Sequence, residues 1–117
     1  MKKSLLILAL SAVVGVANAS QIELVNKTNQ KISGYVKVVG IGVCADRNMN
    51  VTIAPKSTKV IDADNCCANY LEFRTKKGFK GRLGWGLISF CGARERFEIS
   101  VYAEDLGILE IKNVTGK

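Results

Sequence analysis

The cysteines carry the most specific chemistry in this sequence. The chain of 117 residues contains four of them, Cys44, Cys66, Cys67 and Cys91. A disulfide between the adjacent Cys66 and Cys67 is disfavoured, because disulfides need Cα atoms about 4.4–6.8 Å apart and neighbouring Cα atoms are only ~3.8 Å apart. Two pairings remain open: Cys44–Cys66 with Cys67–Cys91, or Cys44–Cys67 with Cys66–Cys91. Since adjacent side chains of an extended segment point to opposite sides, we expect two disulfides that tie the halves of the chain together.

Metal binding is a weaker interpretation of the same cysteines. A zinc site of four cysteines needs two closely spaced ligand pairs, whereas Cys44 and Cys91 each stand alone. The acidic run at positions 62–65 lacks the glycine and the closing glutamate of a calcium loop, which favours an Asx-type turn instead. The sequence therefore predicts neither a metal nor another cofactor.

A second candidate site is a basic segment with interleaved aromatic residues, between positions 74 and 85. Its members are Arg74, Lys76, Lys77, Phe79, Lys80, Arg82 and Trp85. Cations attract anions, and flat rings stack on sugars or bases. This composition predicts a ligand-binding segment for an anionic envelope polymer or an acidic protein, and nucleic acid is not expected as a partner. The competing interpretation is a solvated hairpin whose lysines protect an edge strand and whose tryptophan belongs to the core.

Catalysis has little support in the residue types. The chain has no histidine, so it cannot form a Ser-His or Cys-His pair. Paired carboxylates for hydrolysis would have to come from Glu72, Glu98, Glu104 or Glu110. These acids alternate with apolar residues, which predicts that they lie on the solvent face of strands. We expect a protein that is not an enzyme.

The first 19 residues resemble a secretory signal peptide. Lys2 and Lys3 precede an apolar run over residues 5–16, and the Ala17-Asn18-Ala19 triplet has the form of a cleavage site. The run is shorter than the ~20 apolar residues that span a bilayer. We expect cleavage after Ala19 and a single domain over residues 20–117. The protein would then be periplasmic or secreted by a bacterium, without a transmembrane segment, in a compartment where disulfides persist. Removal of the two lysines would lower the net charge from +7 to +5.

Alternating apolar and polar residues predict short strands throughout the remaining chain. We place them at residues 20–25, 31–39, 51–53, 58–61, 70–75, 82–91, 97–104 and 108–114, with a basic turn at 92–96. The first two should form a hairpin about the polar cluster at 26–30. Seven to nine strands at this spacing predict an all-β domain, a small antiparallel β-sandwich or small barrel stabilised by disulfides.

Together these features predict a small exported binding module that contacts an anionic partner through the basic segment. The alternative is a secreted effector or antimicrobial protein that acts on anionic membranes, which a moderately basic charge also favours.

Overall fold

A computed structural model of the protein describes residues 21–40, 45–63, 66–84, 90–91 and 94–115. The proposed signal peptide, Cys44 and Trp85 lie outside these residues. The fold is all-β, as predicted, with eight strands. They are β1 (Gln21–Asn26), β2 (Ile32–Val39), β3 (Arg47–Ile53), β4 (Thr58–Asp62), β5 (Cys67–Thr75), β6 (Lys80–Leu83), β7 (Arg94–Ala103) and β8 (Ile108–Asn113). No helix in the described part of the chain is long and apolar enough to cross a membrane.

The eight strands form one sheet in the order β3-β2-β5-β6-β8-β7-β1-β4. Its two edge strands, β3 and β4, follow each other in the chain and are joined only by residues 54–57. So short a connection requires the two edges to approach each other, and the sheet therefore curls into a nearly closed barrel. The sequence predicted either a β-sandwich or a small barrel. The single curled sheet corresponds to the barrel and not to a sandwich of two packed sheets.

The strands alternate in direction along the chain. Odd-numbered strands run toward one end of the barrel and even-numbered strands return from it, as the pairings show. Four turns consequently meet at one end, at residues 27–31, 54–57, 76–79 and 104–107, and we call this the turn end. Cys67, at the start of β5, lies at the opposite end.

Two expectations about strand pairing were wrong. The sheet is not purely antiparallel, because β1 pairs parallel to β7 and β6 parallel to β8. Because strand direction alternates along the chain, two odd-numbered or two even-numbered strands run parallel when they lie side by side, as in these two pairs. The expected β1–β2 hairpin is also absent, since β1 pairs with β4 and β7 while β2 pairs with β3 and β5. The chain at residues 27–31 crosses the gap between the sheet edges instead of reversing beside β1.

Four predicted boundaries also change, the first being that β5 begins at Cys67 and not at residue 70. β3 begins at Arg47 and not at residue 51, because its polar first half pairs in register with β2. β7 begins at Arg94, so residues 94–96 belong to a strand and not to the expected basic turn. The strand expected at 82–91 begins earlier, at Lys80, and β6 runs to Leu83, while residues 85–89 of the expected strand lie outside the described residues. Gly84 follows β6 with a φ of 99°, a left-handed conformation that favours glycine.

The core fills the barrel from the inward positions of each strand. Phe73 and Phe97 are its largest fully buried side chains. Phe73 lies between two glycines in the sheet, Gly34 of β2 and Gly81 of β6. A Cβ at Gly34 would overlap the backbone of Glu72, and one at Gly81 would overlap Leu109. The glycines thus permit the close backbone approach that a sharply curved sheet requires.

A disulfide joins Cys67 to Cys91, 24 residues apart in sequence with Cα atoms 4.4 Å apart. This bond excludes the pairing in which Cys91 would bind Cys66. Cys66 is buried and also disulfide-bonded, but Cys44 lies outside the described residues and its pairing stays a prediction. Beside the Cys67–Cys91 bond, Ala68 and Phe90 exchange two backbone hydrogen bonds of 3.0 and 2.7 Å. The disulfide therefore reinforces a short bridge at the end of the barrel that faces away from the turn end.

A buried asparagine closes the gap between the sheet edges at the turn end. The Asn26 side chain is 1% exposed, and its amide nitrogen donates to the carbonyls of Gln30, Ile53 and Ala54 at 2.8, 3.2 and 3.1 Å. Its oxygen accepts from the backbone N–H and the hydroxyl of Thr28 at 2.9 and 2.7 Å. One side chain thus links the end of β1 to the end of β3 and to the turn leading into β2.

Replacement of Asn26 should destabilise the fold strongly. Asn26→Ala leaves several buried carbonyls and the Thr28 donors unpaired, and we expect a loss of about 3 kcal/mol in the free energy of unfolding. Asn26→Asp keeps the size of the side chain but turns an oxygen toward those carbonyls, so it should be at least as harmful. Denaturant titration measures both. The exposed Asn29→Ala is the control, and an Asn26→Asp variant as stable as this control would contradict the hydrogen-bond account.

Candidate functional site

The basic segment folds as the β5–β6 hairpin. Its turn is fixed by backbone bonds from Thr75 N to Phe79 O (2.8 Å) and from Gly78 N to Thr75 O (3.1 Å). The Thr75 hydroxyl also accepts from the Phe79 N–H at 3.2 Å. Gly78 has a φ of 96°, which explains the glycine at this position of the turn. This turn sets the register that places Arg74 directly opposite Lys80.

Outward side chains of three neighbouring strands form one surface, which we call the basic face. It consists of Ser33, Tyr35 and Lys37 on β2, Tyr70, Glu72 and Arg74 on β5, and Lys80 and Arg82 on β6. The register aligns them in rows across the strands: Ser33, Arg74 and Lys80 in one row, Tyr35, Glu72 and Arg82 in the next. The basic face is thus a two-dimensional array and not only a hairpin.

The structure brings together only part of the predicted segment. Arg74, Lys80 and Arg82 share the basic face and are exposed. Lys76 and Lys77 lie beyond it in the turn. Phe79 is half-buried and packs against the core, because the turn directs it inward beneath the lysines. Trp85 lies outside the described residues.

Two tyrosines supply aromatic rings that the sequence analysis did not include in the site. The ring centroids of Tyr35 and Tyr70 are 6.0 Å apart at an interplanar angle of 42°. The Tyr70 hydroxyl donates to Glu72 Oε1 at 2.8 Å. Alternation in the sequence already placed Tyr70, Glu72 and Arg74 on one face of a strand, and Tyr35 on one face of another. Their combination required the pairing of β2 with β5, which local patterns do not reveal.

The environment of Tyr70 disfavours loss of its proton. Burial raises the pKa of its phenol above the ordinary value of 10.0, and the hydrogen bond to the Glu72 carboxylate raises it further. The Arg82 guanidinium, which also bonds to the phenol, acts in the opposite direction and lowers this pKa. Tyr70 therefore remains a neutral donor that holds Glu72 in place on the basic face.

Positive charge dominates the basic face. Glu72 is the single acid among its described residues, against Lys37, Arg74, Lys80 and Arg82. Within the described part of the chain, neither Arg74 nor Lys80 has an ion-pair partner. Lysines on the other side of the barrel differ: Lys27 lies 3.6 Å from Glu98, and Lys112 lies 3.9 Å from Glu110. The opposed pair Arg74–Lys80 is therefore the most electropositive point of this surface.

Two shallow depressions flank β5 on the basic face, each next to a glycine. One, of about 290 Å³, is lined by residues from β3, β2 and β5 that include Asn50, Tyr35 and Arg74. The other, of about 340 Å³, is lined by Glu72, Lys80, Gly81 and Arg82. Their polar and cationic linings suit an extended anionic ligand that crosses β5. Among the described residues, no group of three or more His, Cys, Asp or Glu side chains is placed to hold a metal ion.

The Glu95 carboxylate is a buried acid that the sequence analysis missed, because it was placed in a turn. Glu95 faces inward near the start of β7 and is 8% exposed. Its Oε1 accepts from the Asn113 amide at 3.0 Å and from the Thr115 hydroxyl at 2.7 Å. The Thr115 N–H in turn donates to Asn113 Oδ1 at 2.9 Å. These bonds give Glu95 a structural role in ending β8.

Comparison with known proteins supports the fold alone. The chain matches no protein-family model and no curated protein. It is similar to a protein from Eubacterium rectale solved by NMR, with a TM-score of 0.60 and 14% identity over 86% of this chain and 92% of that chain. A structure described as "Trapped Toxin" gives a TM-score of 0.41 and 8% identity, over 81% of this chain and 23% of that chain. At such identities only the barrel architecture shared with the first structure is meaningful.

Replacement of Glu72 should make Tyr70 easier to ionise. In Glu72→Gln the carboxylate that raises the pKa of Tyr70 is gone, so this pKa should fall toward 10.0. Titration of tyrosinate absorbance in the parent and in the variant measures the effect, and Glu110→Gln is the matched control. Since the folded-state pKa is raised, the stability linked to it is complete below pH 10.0 and is lost as the pH rises through the folded-state pKa. An unchanged titration in Glu72→Gln would contradict the Tyr70–Glu72 contact.

Proposed function

We propose that this protein is an exported, non-enzymatic binding module whose basic face binds an anionic polymer of the cell envelope. The observation that carries the proposal is the pair Arg74–Lys80. Like charges directly opposite each other in a sheet are destabilising. An anion bound between the two side chains would convert this repulsion into attraction for both.

The surroundings of the pair support a polymer as the ligand. The two depressions lie on either side of β5, so an extended chain crossing the strand would contact Arg74, Lys80 and Arg82 in succession. Asn50 and Ser33 supply neutral hydrogen-bonding groups in the first depression, which suits sugar hydroxyls. Arginine supplies a planar donor array that binds phosphate or carboxylate with two bonds.

The same face offers little for catalysis. Its one described carboxylate, Glu72, is bonded to the Tyr70 hydroxyl, and hydrolysis of sugars requires two carboxylates about 5–9.5 Å apart. The chain also has no histidine to serve as a general base. These features support binding without a chemical step.

Export is supported by the leader-like residues 1–19 and by the Cys67–Cys91 disulfide, which suits an oxidising compartment. The intact mass of the protein recovered from expressing bacteria tests this part. We expect a mass that begins at Ser20 and does not increase when thiol-alkylating reagent is added to the unfolded protein. Retention of the leader, or alkylation of any cysteine, would contradict export into an oxidising compartment.

Removal of the opposed cations should weaken polymer binding more than an equal loss of charge elsewhere. The double variant Arg74→Gln/Lys80→Gln should bind immobilised sulfated dextran about tenfold more weakly at low salt, because two charge-assisted contacts are lost. The control Lys59→Gln/Lys112→Gln removes the same charge from β4 and β8. Retention of all proteins should fall as salt rises.

The salt concentrations at which the two double variants elute show whether the basic face is a binding site. If both elute at the same salt concentration, binding reflects net charge alone and the basic face is not a site. If immobilised polyglutamate retains the protein through Arg74 and Lys80 while sulfated dextran does not, the partner is an acidic protein and not a polymer.

A further inference from the structure

The turn end carries a surface whose composition differs from that of the basic face. Its four turns contain five exposed lysines, Lys27, Lys31, Lys56, Lys76 and Lys77. The acids in these turns are Glu104 and Asp105, both in the turn between β7 and β8. Lysines therefore outnumber acids in these four turns, and the positive charges are in excess.

The β7–β8 hairpin also presents apolar side chains to solvent. Five large hydrophobic residues are exposed in the described part of the chain, and four of them belong to this hairpin: Val101, Tyr102, Leu106 and Ile108. Leu106 is 73% exposed and Tyr102 is 67% exposed. The register between β7 and β8 shifts between Val101 and Ala103. Such a bulge changes the direction in which side chains point, which accounts for the exposure of Val101 at a position that alternation predicts to be inward.

The apolar tip lies beside the lysine turn between β5 and β6. Lys80 pairs with Ile108, and the Lys80 N–H donates to the Gly107 carbonyl at 3.1 Å. A Cβ placed on Gly107 would lie 3.8 Å from the Gly78 carbonyl oxygen. The two turns are therefore in contact, which brings Leu106 into the neighbourhood of Lys76 and Lys77.

We propose that the turn end docks on an anionic lipid bilayer, with Leu106 and Tyr102 entering the interface and the lysines contacting the head groups. Exposed leucine and tyrosine side chains of this hairpin can enter the boundary between head groups and acyl chains, where an aromatic ring with a polar edge is stable. Each lysine near an anionic leaflet adds to the attraction. The exposed apolar side chains of the β7–β8 hairpin distinguish the turn end from the basic face, whose depressions have polar and cationic linings.

This arrangement leaves the basic face available. The basic face lies on the side of the barrel, on the outward surface of β2, β5 and β6, whereas the turn end lies at one pole. A protein docked by the turn end would thus present Arg74 and Lys80 along the membrane surface. The two surfaces can be tested separately because they share none of the residues used in the variants below.

Vesicle cosedimentation tests the proposal. The protein is purified after export, and every variant is compared in the same form, with phosphatidylcholine vesicles and with mixed phosphatidylcholine–phosphatidylglycerol vesicles. The parent protein should bind the mixed vesicles and not the neutral ones. Leu106→Ser should reduce the partition coefficient about tenfold, and Lys76→Gln about fivefold, while Asp105→Asn should increase it.

Matched controls distinguish binding through the turn end from nonspecific hydrophobic adsorption and from an effect of net charge. Val60→Ser removes an exposed apolar side chain from β4, and Lys112→Gln removes a charge from β8, outside the four turns. Both should bind the mixed vesicles as the parent does. The proposal is wrong if Val60→Ser reduces binding as much as Leu106→Ser, or if binding depends on Arg74 and Lys80 and not on Leu106. Release of vesicle contents would also contradict docking and would favour a membrane-disrupting protein.

Discussion

The side chain of Asn26 joins the end of β1 to the end of β3 and to the turn at residues 27–31. Closure of the barrel at the turn end depends on this junction. Every other neighbouring pair of strands in the order is held by backbone hydrogen bonds, but the two edges, β3 and β4, are not paired with each other. Asn26 supplies bonds across this gap from a position with almost no solvent exposure, where hydrogen bonds are strong and unpaired groups are costly. The closed end of the barrel therefore relies on this polar contact in addition to the apolar packing of the core.

In the closed barrel, the two ends and the side formed by β2, β5 and β6 carry different kinds of residues. The disulfide between Cys67 and Cys91 lies at one end of the barrel and the four turns lie at the other, because strand direction alternates along the chain. The side formed by β2, β5 and β6 carries Arg74 and Lys80, which have no ion-pair partner among the described residues, whereas Glu98 of β7 and Glu110 of β8 lie near lysines. We regard the basic face and the turn end as two separate contact surfaces, one suited to a polymer and one suited to a lipid surface.

Local patterns in the sequence predicted the strands and their faces, but not the strand order. Alternation placed Tyr70, Glu72 and Arg74 together, and the structure keeps them on one face. The neighbour of that face, Tyr35, comes from a strand more than thirty residues earlier, and pairing over such a distance leaves no local signal. The polar cluster after Asn26 resembled a hairpin turn, although its asparagine bonds to residues near position 53. The start of β3 resembled a loop because Arg47, Asn48 and Asn50 are polar, although Met49 packs against the core.

Amide chemical shifts during titration with a sulfated dextran fragment test the central claim most directly, since they report binding residue by residue. We predict that the largest changes fall on Ser33 to Lys37, Tyr70 to Arg74 and Lys80 to Arg82, and that they vanish at high salt. The turn end should change little with this ligand. Changes spread evenly over all exposed lysines, or centred on β7 and β8, would contradict a defined anion-binding surface on the basic face.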